Sequence, residues 1–520
     1  MSEKMDIWLI AGQSNAAGFA LLKEPFTPDS RIKFFDNTDK WVVASEPMEA
    51  HFFPYGDPHG MITDHTMKPD TGGVGPGLFF AKHLVKYTDR PIGLIGVAAG
   101  GTMIEDWDPS LRDKNPDCLY SRMIERCVSQ TESNGELKGM LWYQGESDAI
   151  CNPSHAEFYE ETLHNFIDQI RNDTNSPELP ILYVQIGRLV PDRIPGCPGL
   201  SKGGEELDDE IGVYTGNWER IREIQRNLAE KKKNVYMVSA VDLCLDDPIH
   251  ISFEGQKRLG RRLAEIALSG VYDLPEHAGP ITLAGVDEPE NLIIDNGDMG
   301  KVFRTVIKVR FNGVNGRLLS HDRPSGFELR FPEIKSGSFP VVYRIDFDPN
   351  DPTTVLAVAT GPLPMPYKAY LYYGGGLNPY CNIVDEGDIP IPCFGPIEVP
   401  VNNQVYYRQI ETDDTATLHE SLPAKSRILL WPCGSLTRTL LERSEFGDNI
   451  VIGVADADPN LWGTRCQGVE IYPPKKAVLL NYEYIVITSS TFYKDILDEI
   501  EQLGVEKNVR IYLALLNKGS

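Results

Sequence analysis

Short apolar runs alternate with amphipathic stretches through residues 1–272, and this order constrains the fold more than any other feature. Runs of strand length stand at 6–10, 31–35, 91–98, 139–143, 180–186 and 234–240. Helical periodicity falls between and after them, over 79–87, 119–130, 156–171, 217–232 and 253–268. Strands that alternate with helices are joined by crossovers, so they form a parallel sheet covered on both faces. In such a sheet the ligand crevice lies outside the carboxyl ends of the strands. The residues that end each run are therefore the ones to read for chemistry.

Two further blocks follow. Residues 273–415 carry short runs at 302–311, 326–331, 341–347, 354–359 and 369–373, punctuated by Pro and Gly, with no long helical pattern. They read as an all-β sandwich, with 361–367 as a turn. Residues 416–520 return to alternation: strands at 427–431, 450–455, 484–488 and 510–516, helices at 436–443 and 492–502. They read as a small Rossmann-like α/β unit. Three domains are also what 520 residues suggest by length.

The net charge of −25 excludes a phosphate-backbone binder and a polybasic membrane-surface protein, both of which need basic surface. The apolar run 7–10 is too short for a signal-peptide core, and no stretch approaches a membrane span. The expectation is a cytoplasmic chain. Its nine cysteines contain no C-x-x-C pair, so they read as reduced structural thiols.

The first run ends in Ala11-Gly12-Gln13-Ser14-Asn15. A strand–Gly–x–Ser turn that feeds a helix places the hydroxyl at the carboxyl edge of the sheet, where backbone N–H groups can serve as half an oxyanion hole. The plainer alternative is a helix N-cap. Ala16 stands where a G-x-S-x-G elbow would have its second glycine. A serine nucleophile needs a base, and the base needs an orienting acid. Asp247-Pro248-Ile249-His250 follows the last run of the first block. That spacing lets the carboxylate accept from the imidazole Nδ1–H, and Pro248 stiffens the turn. The alternative there is an Asp-Pro turn ahead of the next helix. Donors for an oxyanion come from Ala99-Gly100-Gly101-Thr102 and from the amide of Gln144, each at the end of a run. Whether Gly100 or Gly101 supplies the N–H stays open. His51, His59 and His65 lie near Asp57 and Asp64, but their spacings match no zinc pattern, so no metal is expected.

These residues resemble the SGNH (GDSL-type) hydrolases, closest to the carbohydrate-esterase branch with sialate O-acetylesterases and acetylxylan esterases. The matching strings are AGQSNAAG at 11–18, VGPG at 74–77, GGTMIEDW at 100–107, WYQGESD at 142–148, WERIREIQ at 218–225 and DPIH at 247–250. The resemblance covers about the first 270 residues. It implies a flavodoxin-like three-layer α/β/α catalytic domain over 1–272. In it Ser14 is the nucleophile, His250 the base, Asp247 the orienting acid, and the Ser14 N–H, Gly100 and Gln144 the oxyanion donors. The superfamily has Asn where this chain has Gln144. Gln13, Asn15 and Glu146 are implied as substrate-binding residues, with Glu146 on sugar hydroxyls or neighbouring loops. The segment 371–394 resembles the β-rich region of sialate O-acetylesterases and implies an accessory domain over 273–415.

Arg188, just past a strand end, is a candidate partner for a sugar carboxylate, against the alternative of an exposed loop arginine. The loop 188–216 is a candidate lid. At the C-terminus, WPCGSLTR over 431–438 sits where a phosphate turn would be, with Asp456 and Asp458 where a ribose-binding acid would follow. The alternative to NAD or nucleotide binding there is docking or homo-oligomerisation.

The leading expectation is a serine esterase that removes O-acetyl groups from an acetylated sugar or glycan, without cofactor, nucleic acid or membrane. The same triad could pass the acetyl group to a sugar hydroxyl, as a carbohydrate O-acetyltransferase. The third class, a glycan-binding or scaffolding protein with a relic site, fits poorly with intact Ser14, Asp247 and His250.

Overall fold

Eight consecutive residues, Met5–Gly12 (β1), are buried along their whole length, as a strand covered on both faces must be. In this computed structural model, which describes residues 4–36, 38–48, 73–150, 155–191, 205–295, 301–334, 341–361, 363, 368–400, 405–410, 418–419, 421–489, 492–505 and 509–516, β1 is the centre of a seven-stranded sheet. It lies parallel between β4 (Ile92–Gly96) and β5 (Gly135–Tyr143). β2 (Ile32–Phe35) continues the sheet beyond β4, and the short β3 (Trp41–Val43) closes that edge antiparallel. On the other side β6 (Ile181–Gln185) and β7 (Val235–Ser239) follow in parallel.

The chain thus fills one side of β1 first and the other side afterwards. A sheet wound in this way opens a crevice beyond the carboxyl ends of β1 and its two neighbours. Trp8 of β1 packs its ring on Phe80 of α2 (Gly77–Leu84), which packs on α7 (Phe253–Gly270). Trp142 of β5 meets Phe166 of α5 (His155–Asp173), which packs on α6 (Glu205–Lys231). The two sets of helices therefore cover opposite faces.

The compact units do not follow the blocks read in the sequence. Met1–Ala284, Phe311–Gly326 and Tyr372–Gly395 cluster together, and Gly285–Arg310, Phe327–Leu371 and Pro396–Ser520 form a second unit. The physical reason is polar. Gln185 at the end of β6 exchanges hydrogen bonds with the backbone of Cys393, donating to its carbonyl and accepting from its N–H. Buried Arg222 of α6 donates to the carbonyls of Gly374 and Gly376, both at 2.8 Å. Asp388 accepts from Arg258, Arg261 and Arg262 of α7. Without 372–395 these groups would lose part of their hydrogen bonding.

A second correction concerns the candidate lid. Residues 205–216 are not loop but the first turns of α6, which begins well before residue 217. Glu and Leu are good helix formers and acids suit a first turn, so the acidic cluster there reads as a helix start. Residues 192–204 of the lid candidate lie outside the described residues, as do most of the 361–367 turn and His51, His59 and His65 with Asp57 and Asp64.

In the second unit Thr305–Arg310 pairs antiparallel with Thr354–Ala359. Five parallel strands farther along stand in the spatial order Val469–Tyr472, Ile450–Ala455, Arg427–Trp431, Tyr484–Ile487, Arg510–Leu516. Ile428 and Leu430 enter one apolar cluster, with Leu440, and Leu429 and Trp431 the other, with Ile496 and Ile500. Period-two alternation with a helix on each face explains that split. Val405–Ile410, read in sequence as part of the β block, pairs antiparallel with Arg510–Leu516. Among the described residues no helix is long and apolar enough to cross a membrane.

Candidate active site

β1 ends in a glycine for a steric reason. Gly12 has φ +132°, and a Cβ there would overlap the carbonyl of Tyr143 on β5. The backbone turns sharply, Gln13 N–H donates to that same carbonyl at 2.9 Å, and the short helix α1 (Ser14–Ala17) begins. Ser14 stands at its first position, 7% exposed.

The loop after β7 carries the other two residues. Asp247 Oδ1 accepts from the N–H groups of Ile249 (2.8 Å) and His250 (2.7 Å), which closes the turn. Its Oδ2 accepts from His250 Nδ1 at 2.6 Å. The second ring nitrogen, Nε2, faces Ser14 Oγ at 3.0 Å. With Nδ1–H on the carboxylate, Nε2 holds the lone pair toward the hydroxyl. Burial alone would raise the Asp247 carboxyl, but the His250 ring and the two N–H groups outweigh it and hold it down to about 2. Phe19 stacks on the His250 ring, with centroids 4.3 Å apart and planes 13° apart. Ser14, Asp247 and His250 are thus brought together. Phe19 carried no signal in the sequence.

The other predicted residues fall into a different pattern. Gly100 and Gly101 lie in the turn after β4, with Gly101 at φ +72°. Among the described residues neither the Ser14 N–H nor the Gly100 N–H donates to a protein backbone acceptor. Gln144, at the end of β5, is fully buried, and its Nε2 is directed to the Thr102 carbonyl (3.1 Å) and to Asp148 of α4 (Glu146–Ile150). Asp148 in turn accepts from Ile104 N–H at 3.1 Å through both oxygens. The amide predicted to reach an oxyanion is therefore engaged with the turn that presents Gly100. Burial pushes the Asp148 carboxyl up to about 7, against the pull of Gln144 and Ile104.

Gln13 and Asn15 are 3% and 1% exposed. Gln13 Oε1 accepts from the N–H groups of Gly145 (3.2 Å) and Ser147 (3.3 Å) at the start of α4. Asn15 Nδ2 donates to Glu146 Oε1 at 2.8 Å. Burial pushes the Glu146 carboxyl up, and the Asn15 amide pulls it back. These three side chains, predicted to hold substrate, have interior partners instead. Arg188 lies in the loop after β6 but is half-buried, and it donates to Asn378 Oδ1 and to the Leu243 carbonyl, both at 3.0 Å.

In the second unit the Cys433-Gly434 turn precedes the helix Ser435–Glu442. The Asp456 carboxylate, predicted to face a ribose, accepts from Cys433 N–H and Asp458 N–H, both at 2.8 Å. Among the described residues seven cysteines are free thiols, and no group of three His, Cys, Asp or Glu is placed to hold a metal ion.

Known proteins are similar to this chain over the part that holds the site. The family model described as carbohydrate esterase, sialic acid-specific acetylesterase matches residues 4–269. A second, described as C2185-like, N-terminal, matches residues 424–511. A probable carbohydrate esterase of Arabidopsis thaliana is 31% identical over 285 residues, 51% of this chain and 90% of that protein. The sialate O-acetylesterase of Homo sapiens is 24% identical over 271 residues, 46% of this chain and 48% of that protein, so the match spans about half of the human enzyme. A solved carbohydrate acetylesterase from Xanthomonas citri is 20% identical, with 75% of this chain and 80% of that one covered at a TM-score of 0.47.

Proposed function

The chain belongs to the carbohydrate esterase, sialic acid-specific acetylesterase family, carboxylic ester hydrolases by class, and from that premise we propose that it removes O-acetyl groups from a carbohydrate through an acyl-enzyme on Ser14. The observation that carries this reading is the line of contacts Asp247 Oδ2–His250 Nδ1 (2.6 Å) and His250 Nε2–Ser14 Oγ (3.0 Å).

Ser14 Oγ attacks the acetyl carbonyl while its proton passes to His250 Nε2. Asp247, ionised throughout, stabilises the imidazolium. The carbonyl oxygen becomes an oxyanion on the N–H groups of Ser14 and Gly100. Gln144 and Asp148 hold the Gly100 turn in place rather than reach that oxygen themselves. The C–O bond to the sugar breaks, and the leaving oxygen takes the proton from His250. A water then attacks acetyl-Ser14, gives its proton to His250 and releases acetate, which restores the serine. The substrate expectation is a sialate O-acetyl ester or an acetylated xylan-type sugar, and the bonds of Arg188 to Asn378 and Leu243 give no support for carboxylate recognition by that residue.

The same reading keeps residues 416–520 as a Rossmann-like module. Its support is the parallel strand order, third-second-first-fourth-fifth along the chain. Residues 1–272 are kept as the catalytic region, with 311–326 and 372–395 clustered on it, and the rest of the middle block as a β-rich accessory region.

The test is hydrolysis of p-nitrophenyl acetate and of a panel of O-acetylated sugars by wild type and Ser14→Ala. Release of acetate by wild type, reduced at least about a thousandfold in the variant, is expected. Equal rates in the two proteins would overturn the reading, and transfer of the acetyl group to a sugar hydroxyl without acetate release would replace hydrolysis with transfer.

A further inference from the structure

We propose that Asn15 is the positioning residue that sets the reach between Ser14 and His250, oriented for that task by the buried carboxylate of Glu146. The inference rests on the reading of Ser14 as nucleophile and adds a residue to it.

Asn15 follows Ser14 directly and fastens both neighbours of His250. Its Oδ1 accepts from Ile251 N–H at 2.9 Å, and its Nδ2 donates to the Ile249 carbonyl at 3.3 Å. Its own carbonyl accepts from Gln256 Nε2 of α7 at 3.1 Å. The hydrogen bonds of Asp247 lie inside its own loop, so they give the turn its shape but not its distance from β1. Val190 N–H donates to the Pro248 carbonyl at 2.8 Å and ties the loop to the chain beyond β6, away from the serine. Among the described residues the polar contacts from α1 to residues 247–251 are the Ser14–His250 bond itself and those of Asn15.

Only an amide fits this position. One end must accept from an N–H, and the other must donate to a carbonyl and a carboxylate at once. Glu146 supplies the bias between the two orientations: it accepts from Nδ2 at 2.8 Å, so the oxygen end is left for Ile251. Asn15 at 1% exposure touches no bulk solvent and offers no surface to a substrate. Its contribution to catalysis is therefore indirect, through the 3.0 Å approach of His250 to Ser14.

The experiment compares wild type, Asn15→Ala, Asn15→Asp, Glu146→Gln and the double variant that combines Asn15→Asp with Glu146→Gln. Readouts are kcat and KM on p-nitrophenyl acetate, thermal unfolding, and the low-field proton resonance of the His250 Nδ1–H. Displacement of a catalytic group by about 1 Å lowers rate about a hundredfold, so Asn15→Ala is expected to lose about that in kcat with KM within about threefold. Asn15→Asp sets a carboxylate against Glu146 and is expected to fall as far. Glu146→Gln in that background can donate to the carboxylate introduced at position 15 and is expected to recover at least about tenfold, which a merely structural role would not produce. The low-field resonance is expected to persist in Asn15→Ala, because the Asp247–His250 bond lies inside the loop, and its persistence shows that the loop keeps its shape.

The proposal is overturned by Asn15→Ala within about threefold of wild-type kcat, or by a double variant no better than Asn15→Asp. Should Asn15→Ala fail to fold, the Asn15→Asp pair decides. If wild type and Ser14→Ala hydrolyse equally, the esterase reading has failed. The Ser14 Oγ–His250 Nε2 distance in crystals of Asn15→Ala then decides the role of Asn15 alone: an unchanged approach of 3.0 Å overturns the proposal and a longer one supports it.

Discussion

Asp247→Asn keeps the shape of the side chain and removes one charge, so it isolates what the carboxylate does for His250. Oδ1 holds two backbone N–H groups at 2.7 and 2.8 Å, and an asparagine keeps its oxygen there. Its NH₂ must then take the place of Oδ2, 2.6 Å from Nδ1. A donor at that distance requires a lone pair on Nδ1, which moves the ring proton to Nε2, the atom facing Ser14 Oγ. That tautomer cannot accept the serine proton. Loss of the productive tautomer in a serine triad lowers kcat about 10⁴-fold, or about 5 kcal/mol of barrier. The Asp247 side chain is 46% exposed, so water can relieve part of the misfit, and about a thousandfold is the expected loss. Initial rates on p-nitrophenyl acetate at pH 7 measure it, with KM within about threefold because no substrate contact is removed. Asp246→Asn, an exposed neighbour, is the control and is expected to stay within about twofold. An Asp247→Asn enzyme within about tenfold of wild type would refute the reasoning, as would a loss confined to KM. Because Asp247 is held down to about 2, its carboxylate contributes no inflection to the wild-type rate profile between about pH 4 and 9.

Gly12→Ala forces a Cβ into the Tyr143 carbonyl at φ +132° and is expected to destabilise by more than about 3 kcal/mol in urea unfolding, with activity lost alongside; a change under about 1 kcal/mol would contradict the steric account. Arg222→Met leaves the carbonyls of Ile186, Gly374 and Gly376 without their donor, while Gly187 keeps Trp218 Nε1–H, and the same assay should show a loss of about 3 kcal/mol or more. Burial raises the Glu46 carboxyl to about 8, against the pull of the Met48 and Gly75 N–H groups. A raised folded-state value means the folded protein retains a proton that the unfolded chain releases, so this contribution is intact below about pH 4.5 and is lost as pH rises to about 8. Glu46→Gln should remove that slope, a difference on the order of 4 kcal/mol between pH 5 and 8 in unfolding free energy, and parallel curves for the two proteins would refute it.

The alternation of periods is legible because it is local. Strand and helix patterns need only neighbouring residues, and they place six of the seven strands of the first sheet; the missing one, Trp41–Val43, is a three-residue edge too short to show a period. The Asp247-x-x-His250 contact is legible for the same reason, since it closes within one turn. The start of α6 is hidden because an acidic cluster beside Gly and Pro looks like a loop until its first turns are helical. The block boundaries are hidden because buried Arg222 and Gln185 show no sign in the sequence of which distant carbonyls they need.

Local order along the chain thus selects the residues that end the central strands, and hence the inventory at the crevice: Ser14, Gly100, Gln144 and the Asp247–His250 turn. The use of each polar end is settled only by folding. Asn15 meets Glu146 and Ile251 across separations of 131 and 236 residues, and Gln144 turns to Thr102 and Asp148. An amide carries a donor and an acceptor of nearly equal size, so its residue type leaves its role open. The partners brought against it in three dimensions select one orientation, because a buried donor or acceptor without a partner costs about 1–3 kcal/mol.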